Sequence, residues 1–142
     1  MKKILIDTNI ILDLLAKRKD FYLDSKTIFS LADNSQVELY ISTLSIANAH
    51  YIMHDMLKIK KAKKILGQFK VLVKSISLSD KIIELALNDS KFKDFEDGIQ
   101  YYSAMEAKCK LIVTRNTKDY KYSSIPVMQP NEFLSKRKVN NG

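Results

Sequence analysis

Four aspartates stand where a fold could gather them into one acidic site. Asp7 ends a short β-leaning run, Lys3–Ile6. Asp94 and Asp97 open a helical stretch over 94–108. Asp119 lies in TRNTKDY, just past the apolar run Leu111–Val113. Asp94 and Asp97 are three apart and share a helix face. Taken singly, each has an ordinary role. Asp7 would cap a helix beginning near Ile10, Asp94 and Asp97 would complement a helix dipole, and Asp119 would be a loop residue. Taken together they are harder to explain. Two carboxylates ~6 Å apart repel by roughly 3 kcal/mol at an effective dielectric of 20, so converging acids call for a cation. Hard oxygen ligands suit Mg²⁺ or Mn²⁺. Such an ion lowers the pKa of bound water and stabilises charge on a phosphodiester under attack.

The elements that must carry these residues follow from periodicity. Lys3–Ile6, Val37–Ile41, Val71–Ser75, Leu111–Val113 and Ile125–Met128 read as strands. Apolar spacing predicts helices over Asn9–Lys17, Phe21–Ala32 and Ile59–Phe69, and from Ser79 or Asp80 through Leu87. Ser42 and Ser45 are candidate caps of a helix reaching about Leu57. The helix over 94–108 has a stripe of Phe92, Phe95, Ile99 and Tyr102, and Pro130 starts a short last helix. Strands alternating with helices predict an α/β fold: a central, mainly parallel sheet of four or five strands with helices on both faces. In such sheets ligands bind beyond the C-terminal strand ends, where Asp7 and Asp119 fall.

Composition sets the limits. The chain has 142 residues, 46% hydrophobic and 28% charged, as expected of one globular domain. Residues 1–135 are expected to form that domain and 136–142 a frayed basic tail. A single cysteine, Cys109, excludes an intrachain disulfide framework and any Cys-based zinc cluster. No apolar run approaches membrane-spanning length, and the opening MKKILIDTN meets a charge at Asp7, too early for a signal peptide. A cytoplasmic protein without membrane contacts is expected. The formal charge is +8, which favours a polyanionic partner. From Met56 to Lys74 there are seven lysines and no acid. Within that run Lys58, Lys60, Lys61, Lys63 and Lys64 are the candidates to guide such a partner, which the resemblance given below implies is RNA.

These features add up to a named resemblance. The chain resembles PIN-domain proteins, the group that includes the VapC-like toxins of bacterial toxin–antitoxin pairs. The strand leading into DTNIILDLL matches the family's opening, and DFEDGIQYYSAMEAKCKLIVTRNTKDY, Asp94 to Tyr120, resembles its second half. The similarity runs from Lys2 to about Pro130. It implies a PIN fold and a ribonuclease dependent on Mg²⁺ or Mn²⁺, leaving a 3′-hydroxyl and a 5′-phosphate. It also implies an antitoxin partner and a homodimer. Asp7, Asp97 and Asp119 fall on the family's metal-binding acids, and Asp94 is an auxiliary acid. Thr114 and Asn116 match polar positions beside the acids, expected to orient water or ligands. One position departs. Where the common pattern has a glutamate on the helix after the second strand, this chain has Asn48. That substitution supports the alternative of a catalytically silent PIN-like module that binds RNA or protein.

Other candidates are weaker. His50 and His54 have zinc-ligand spacing but lack a metalloprotease glutamate and an evident third ligand. Cys109 reads as a packing residue, Tyr102 as core, and Tyr101 and Arg115 as possible nucleotide and phosphate contacts. A receiver domain would need adjacent acids after the first strand and a phosphoacceptor after the third. A DxDxT phosphatase would need an acid where Asn9 stands.

Overall fold

The computed structural model describes the backbone of residues 1–141. Five parallel strands form one sheet in the order β3-β2-β1-β4-β5. They are β1 (Lys2–Ile6), β2 (Val37–Ser42), β3 (Lys74–Ile76), β4 (Leu111–Val113) and β5 (Val127–Met128). The chain steps outward from β1 to β3, then returns to the other side of β1 to lay down β4. The crevice beyond β1 and β4 is therefore the topological switch point of the sheet.

Strand alternation sorts the core into two layers. Ile4, Ile6, Leu111 and Val113 face one side, together with buried residues of α1 (Thr8–Leu15), α2 (Tyr22–Asp33), α3 (Thr43–Tyr51), α4 (Ala62–Phe69) and, through Phe133, α7 (Pro130–Asn141). Leu5 and Ile112 face the other, against α5 (Asp80–Asn88) and α6 (Phe95–Glu106). The sheet is thus covered on both faces, as the strand–helix alternation predicts. α5 and α6 approach closely at Gly98, where a Cβ would lie 3.3 Å from that of Ala86.

Several boundaries differ from the sequence expectation. The helix expected to reach Leu57 is α-helical only to Tyr51 and continues as a wider π-turn over Ile52–Met56, closed by Leu57 N–H donating to Ile52 O at 2.9 Å. That turn keeps Met53 fully buried and leaves Met56 and Leu57 exposed. Lys58 and Lys61 take left-handed backbone angles, φ 56° and 63°, so α4 starts at Ala62 rather than Ile59. Ser42 caps α3 through Leu44 N–H, whereas Ser45 is buried and bonded elsewhere. On α6 the stripe is displaced. Phe95 is 40% exposed, Tyr101 is core, and Tyr102 is half-buried. The expected frayed tail is helical through Asn141, with Gly142 outside the described residues. Phe133 docks α7, and Arg137 Nη2 donates to Gln36 Oε1 at 2.9 Å.

A buried ion pair clamps α1 to the segment after β4. Asp13 is fully buried. It accepts from Arg115 Nε at 2.7 Å and Nη2 at 3.1 Å, with Arg18 Nη1 at 3.6 Å. The Arg115 guanidinium lies 3.9 Å from the centroid of Phe21, a cation–π contact. Arg115→Ala, which leaves a buried carboxylate short of its main partner, is expected to cost about 3 kcal/mol. Arg115→Lys should recover only part of this, because an ammonium cannot make the two-pronged contact. Urea unfolding measures both, and parent-like stability of the alanine variant would remove the pair from the fold's support.

Candidate active site

Asp7 sits where β1 ends and α1 begins, at the switch point. Its Oδ1 accepts the Thr8 N–H at 2.7 Å, the capping role open to it from sequence. Its Oδ2 accepts two hydroxyls, Thr114 Oγ1 at 2.8 Å and Tyr120 OH at 3.1 Å. Thr114 follows β4, and Tyr120 ends the 3₁₀ turn Thr117–Tyr120. One carboxylate therefore joins three separate chain segments. Burial pushes its pKa up, against the opposing pull of Thr114, Thr8 and Tyr120. The same burial, with Asp7 and Asp97 nearby, pushes the Tyr120 phenol far above its ordinary value, so it stays a donor.

Asp97 lies in the first turn of α6. Its pKa is raised to about 7, first by burial and then by the charges of Asp94, Asp7, Asp119 and Glu96. This repulsion identifies the acids that share its field, and they come from three distant parts of the chain. Asp94 Oδ1 caps α6 through the N–H groups of Glu96 at 2.8 Å and Asp97 at 3.1 Å. Asp119 is exposed and lines the same cleft as Asp94 and Asp97. Among the described residues, neither Asp97 nor Asp119 spends its carboxylate on a hydrogen bond or salt bridge.

Asn48, on α3, donates from Nδ2 to Glu96 Oε1 at 3.4 Å. Glu96, which the sequence reading passed over, is thus the acid beside the altered position. Its signal was slight: it merely adjoins Asp97. Tyr120 was also missed, although it directly follows Asp119. Thr114 is fully buried, and besides its bond to Asp7 it accepts Asn9 Nδ2 at 3.3 Å and Asn116 N–H at 3.1 Å. Asn116 thus enters the network through its backbone. Arg115, expected as a phosphate contact, has its guanidinium on Asp13.

The other sequence candidates fall outside this network. His50 and His54 stack at 5.3 Å, with His54 Nδ1 2.8 Å from Asp55 Oδ1. Cys109 is buried, and burial pushes its thiol up to about 11, which suits packing rather than nucleophilic work. Tyr101 OH is bonded to Ser124 Oγ at 2.8 Å and is not available to a nucleotide.

The donor chemistry fits a hard divalent cation, since the converging ligands are carboxylate oxygens. Side chains of Asp7, Asp97 and Asp119 are the ones that would hold it. They are coupled but not closed into a cage. Among the described residues no three His, Cys, Asp or Glu side chains stand together as a ready metal cluster.

The chain is similar to known proteins in sequence and in fold. The sequence matches the PIN domain family over residues 3–118. It is 30% identical over 142 residues to a protein named Ribonuclease VapC1 of Aquifex aeolicus (strain VF5), covering 95% of each chain. The fold is similar to that of VapBC2 from Rickettsia felis, solved with a DNA fragment from its promoter. There the TM-score is 0.65 at 19% identity, covering 89% of this chain and 97% of that one. FitAcB of Neisseria gonorrhoeae gives 0.67 at 16% identity over the same shares. A Klebsiella pneumoniae toxin–antitoxin complex gives 0.65 at 23%, covering 89% and 96%. With those sequence matches over most of its length and a five-stranded parallel sheet beneath them, this chain belongs to the PIN-domain family, in its VapC-like group.

Proposed function

We propose that this protein is an endoribonuclease dependent on Mg²⁺ or Mn²⁺, and the toxin of a toxin–antitoxin pair. The observation that carries the reading is that Asp97 and Asp119 line one cleft of a basic protein within the electrostatic reach of the buried Asp7. The ribonuclease name of its 30% identical relative supports it. The solved VapBC2 and Klebsiella complexes support an antitoxin partner. A second copy of the chain belongs to the same reading.

Each residue then has a task. Asp7, Asp97 and Asp119 would hold the ion. The ion supplies activated water and offsets charge on the phosphodiester. Thr8, Thr114 and Tyr120 aim Asp7 and offset part of the cost of burying its charge, since buried carboxylates need such donors. Asp94 fixes the first turn of α6 and thereby Asp97. Glu96, held by Asn48, adds carboxylate charge where the family's usual glutamate is missing. Lys58, Lys60, Lys61, Lys63 and Lys64 add a diffuse field that steers RNA. The silent-module alternative keeps one specific support, the Asn48 amide in that acidic position.

Asp97→Asn and Asp119→Asn should each abolish Mn²⁺-dependent RNA cleavage and the calorimetric heat of Mn²⁺ binding. Thr114→Val, which removes the hydroxyl that orients Asp7 and accepts from Asn9 and Asn116, should cost about 10- to 100-fold. A parent protein that binds RNA but neither cleaves it nor binds Mn²⁺ would establish the silent module instead.

Stability should respond to pH through Asp97. Its folded pKa of about 7 lies above the ordinary 3.8, so the folded state holds the extra proton. The resulting stabilisation is complete below 3.8 and is lost as pH rises through about 7. In EDTA, urea melts between pH 4 and 8 should therefore show falling stability, and Asp97→Asn should flatten that slope. An unchanged slope in the variant would place the titration elsewhere.

A further inference from the structure

Among the described residues the Asp97 carboxylate makes no hydrogen bond or salt bridge, so its distance from Asp7 is decided by how α6 seats. Most of that seating is apolar. Ile99, Tyr101 and Ala104 pack in the layer that holds Leu5 and Ile112, and such packing is non-directional. One polar contact is directional. Gln100, one turn beyond Asp97 and only 2% exposed, donates from Nε2 to Ser45 Oγ at 2.7 Å. Ser45, fully buried on α3, also accepts the Thr8 hydroxyl at 2.8 Å. Thr8 directly follows Asp7 and donates its N–H to that carboxylate at 2.7 Å. Three short bonds therefore run from the helix of Asp97, across α3, to the carboxylate of Asp7.

The same amide is a burden on the fold. Among the described residues no group donates to the buried Gln100 Oε1, and an unpartnered buried acceptor carries its full desolvation penalty. Methionine has a similar length and helix preference and no hydrogen-bonding amide to strand. Thr8 would still satisfy Ser45 if the amide were gone. Stability alone therefore gives no reason for glutamine at this position. Ser103, one turn further along α6 and fully buried, leaves its Oγ unpartnered in the same way but bonds to none of these groups. The other link between α3 and α6, Asn48 Nδ2 to Glu96 Oε1, is exposed and 3.4 Å long, and holds the two helices less firmly.

We propose that Gln100 is a positioning residue of the acidic site: through Ser45 and Thr8 its amide fixes α6 against the end of β1, and so sets where Asp97 stands relative to Asp7. Hydrogen bonds prescribe both distance and direction, which apolar burial does not. The unpartnered acceptor is then a loss of stability retained for the geometry of the site. The inference rests on the ribonuclease reading and adds to it a buried residue that does not line the cleft.

Gln100→Met tests it, with Ser103→Ala as the comparison. In EDTA, hydrogen exchange at the Asp97 and Gly98 amides, which donate to Asp94, should speed about fivefold in Gln100→Met. Its urea midpoint should stay at or above the parent's. Calorimetric Mn²⁺ affinity should weaken about tenfold and kcat for RNA cleavage should fall about 10- to 100-fold, with KM for RNA unchanged. Ser103→Ala, which removes the other unpartnered oxygen, should raise the midpoint and leave exchange, Mn²⁺ affinity and kcat at the parent's values. Added to Ser45→Ala, Gln100→Met should lower kcat no further, because both act through one bond. Parent-like exchange and Mn²⁺ affinity in Gln100→Met, with a parent that cleaves, overturn the positioning role and leave the ribonuclease reading intact. A urea midpoint that falls in step with kcat makes Gln100 merely structural and overturns the role as well. Faster exchange in Gln100→Met, with a parent that neither binds Mn²⁺ nor cleaves, supports the seating of α6 by Gln100 and overturns the ribonuclease reading.

Discussion

Burying a carboxylate at the end of a central strand obliges the surrounding chain to supply donors, and Asp7 receives them from three directions. An unpaired charge in that position would cost several kcal/mol. Thr8 satisfies one oxygen within α1. Thr114 and Tyr120 satisfy the other from the far side of the sheet's switch point. The ends of β1 and β4 and the turn after β4 are therefore one hydrogen-bonded unit. That unit holds Asp119, which directly precedes Tyr120, beside the mouth of the crevice. Tyr120 also carries the edge contact to Phe92, so the same residue couples the acid network to the segment between α5 and α6.

Charge is partitioned across the molecule in a way its net value conceals. Asp7 and Asp97 both have raised pKa values, first because burial penalises the charged form and then because neighbouring carboxylates repel it. Asp13, which is more deeply buried than either, is paired with Arg115. The two aspartates of the DTNIILDLL segment thus do different work. One is spent on clamping α1 to the segment after β4, and the other is kept for the crevice. Arg115 could serve either, and its two contacts to Asp13 with Phe21 beneath commit it to the clamp.

Strand alternation, parallel pairing and helices on both faces were legible from the chain, because period-2 and period-3.6 patterns are local properties of a residue string. Asp7, Asp97 and Asp119 were readable as candidates for a related reason: Asp7 directly follows β1, Asp97 lies in the first turn of α6 and Asp119 in the turn beyond β4, and the sheet rule points to strand ends. Element ends were less so. The π-turn at 52–56 and the left-handed Lys58 and Lys61 follow from how Met53 is drawn into the core. No neighbour in sequence records that pull. Tyr101 rather than Tyr102 is the more deeply buried of the pair, because adjacent residues on a helix differ by about 100° in direction. Which of them faces inward depends on where α6 lies against Phe92.

What the sequence by itself determined is the class of fold, the acids that are candidates for the site and the departure at Asn48, since these depend on residue type and on position relative to strand ends. Only the tertiary structure decided that Glu96 stands beside Asn48, that Tyr120 holds Asp7, that Arg115 answers Asp13, and that Gln100 reaches Ser45. These are contacts between residues remote along the chain, made by side-chain directions that packing alone selects, and no local spacing encodes them.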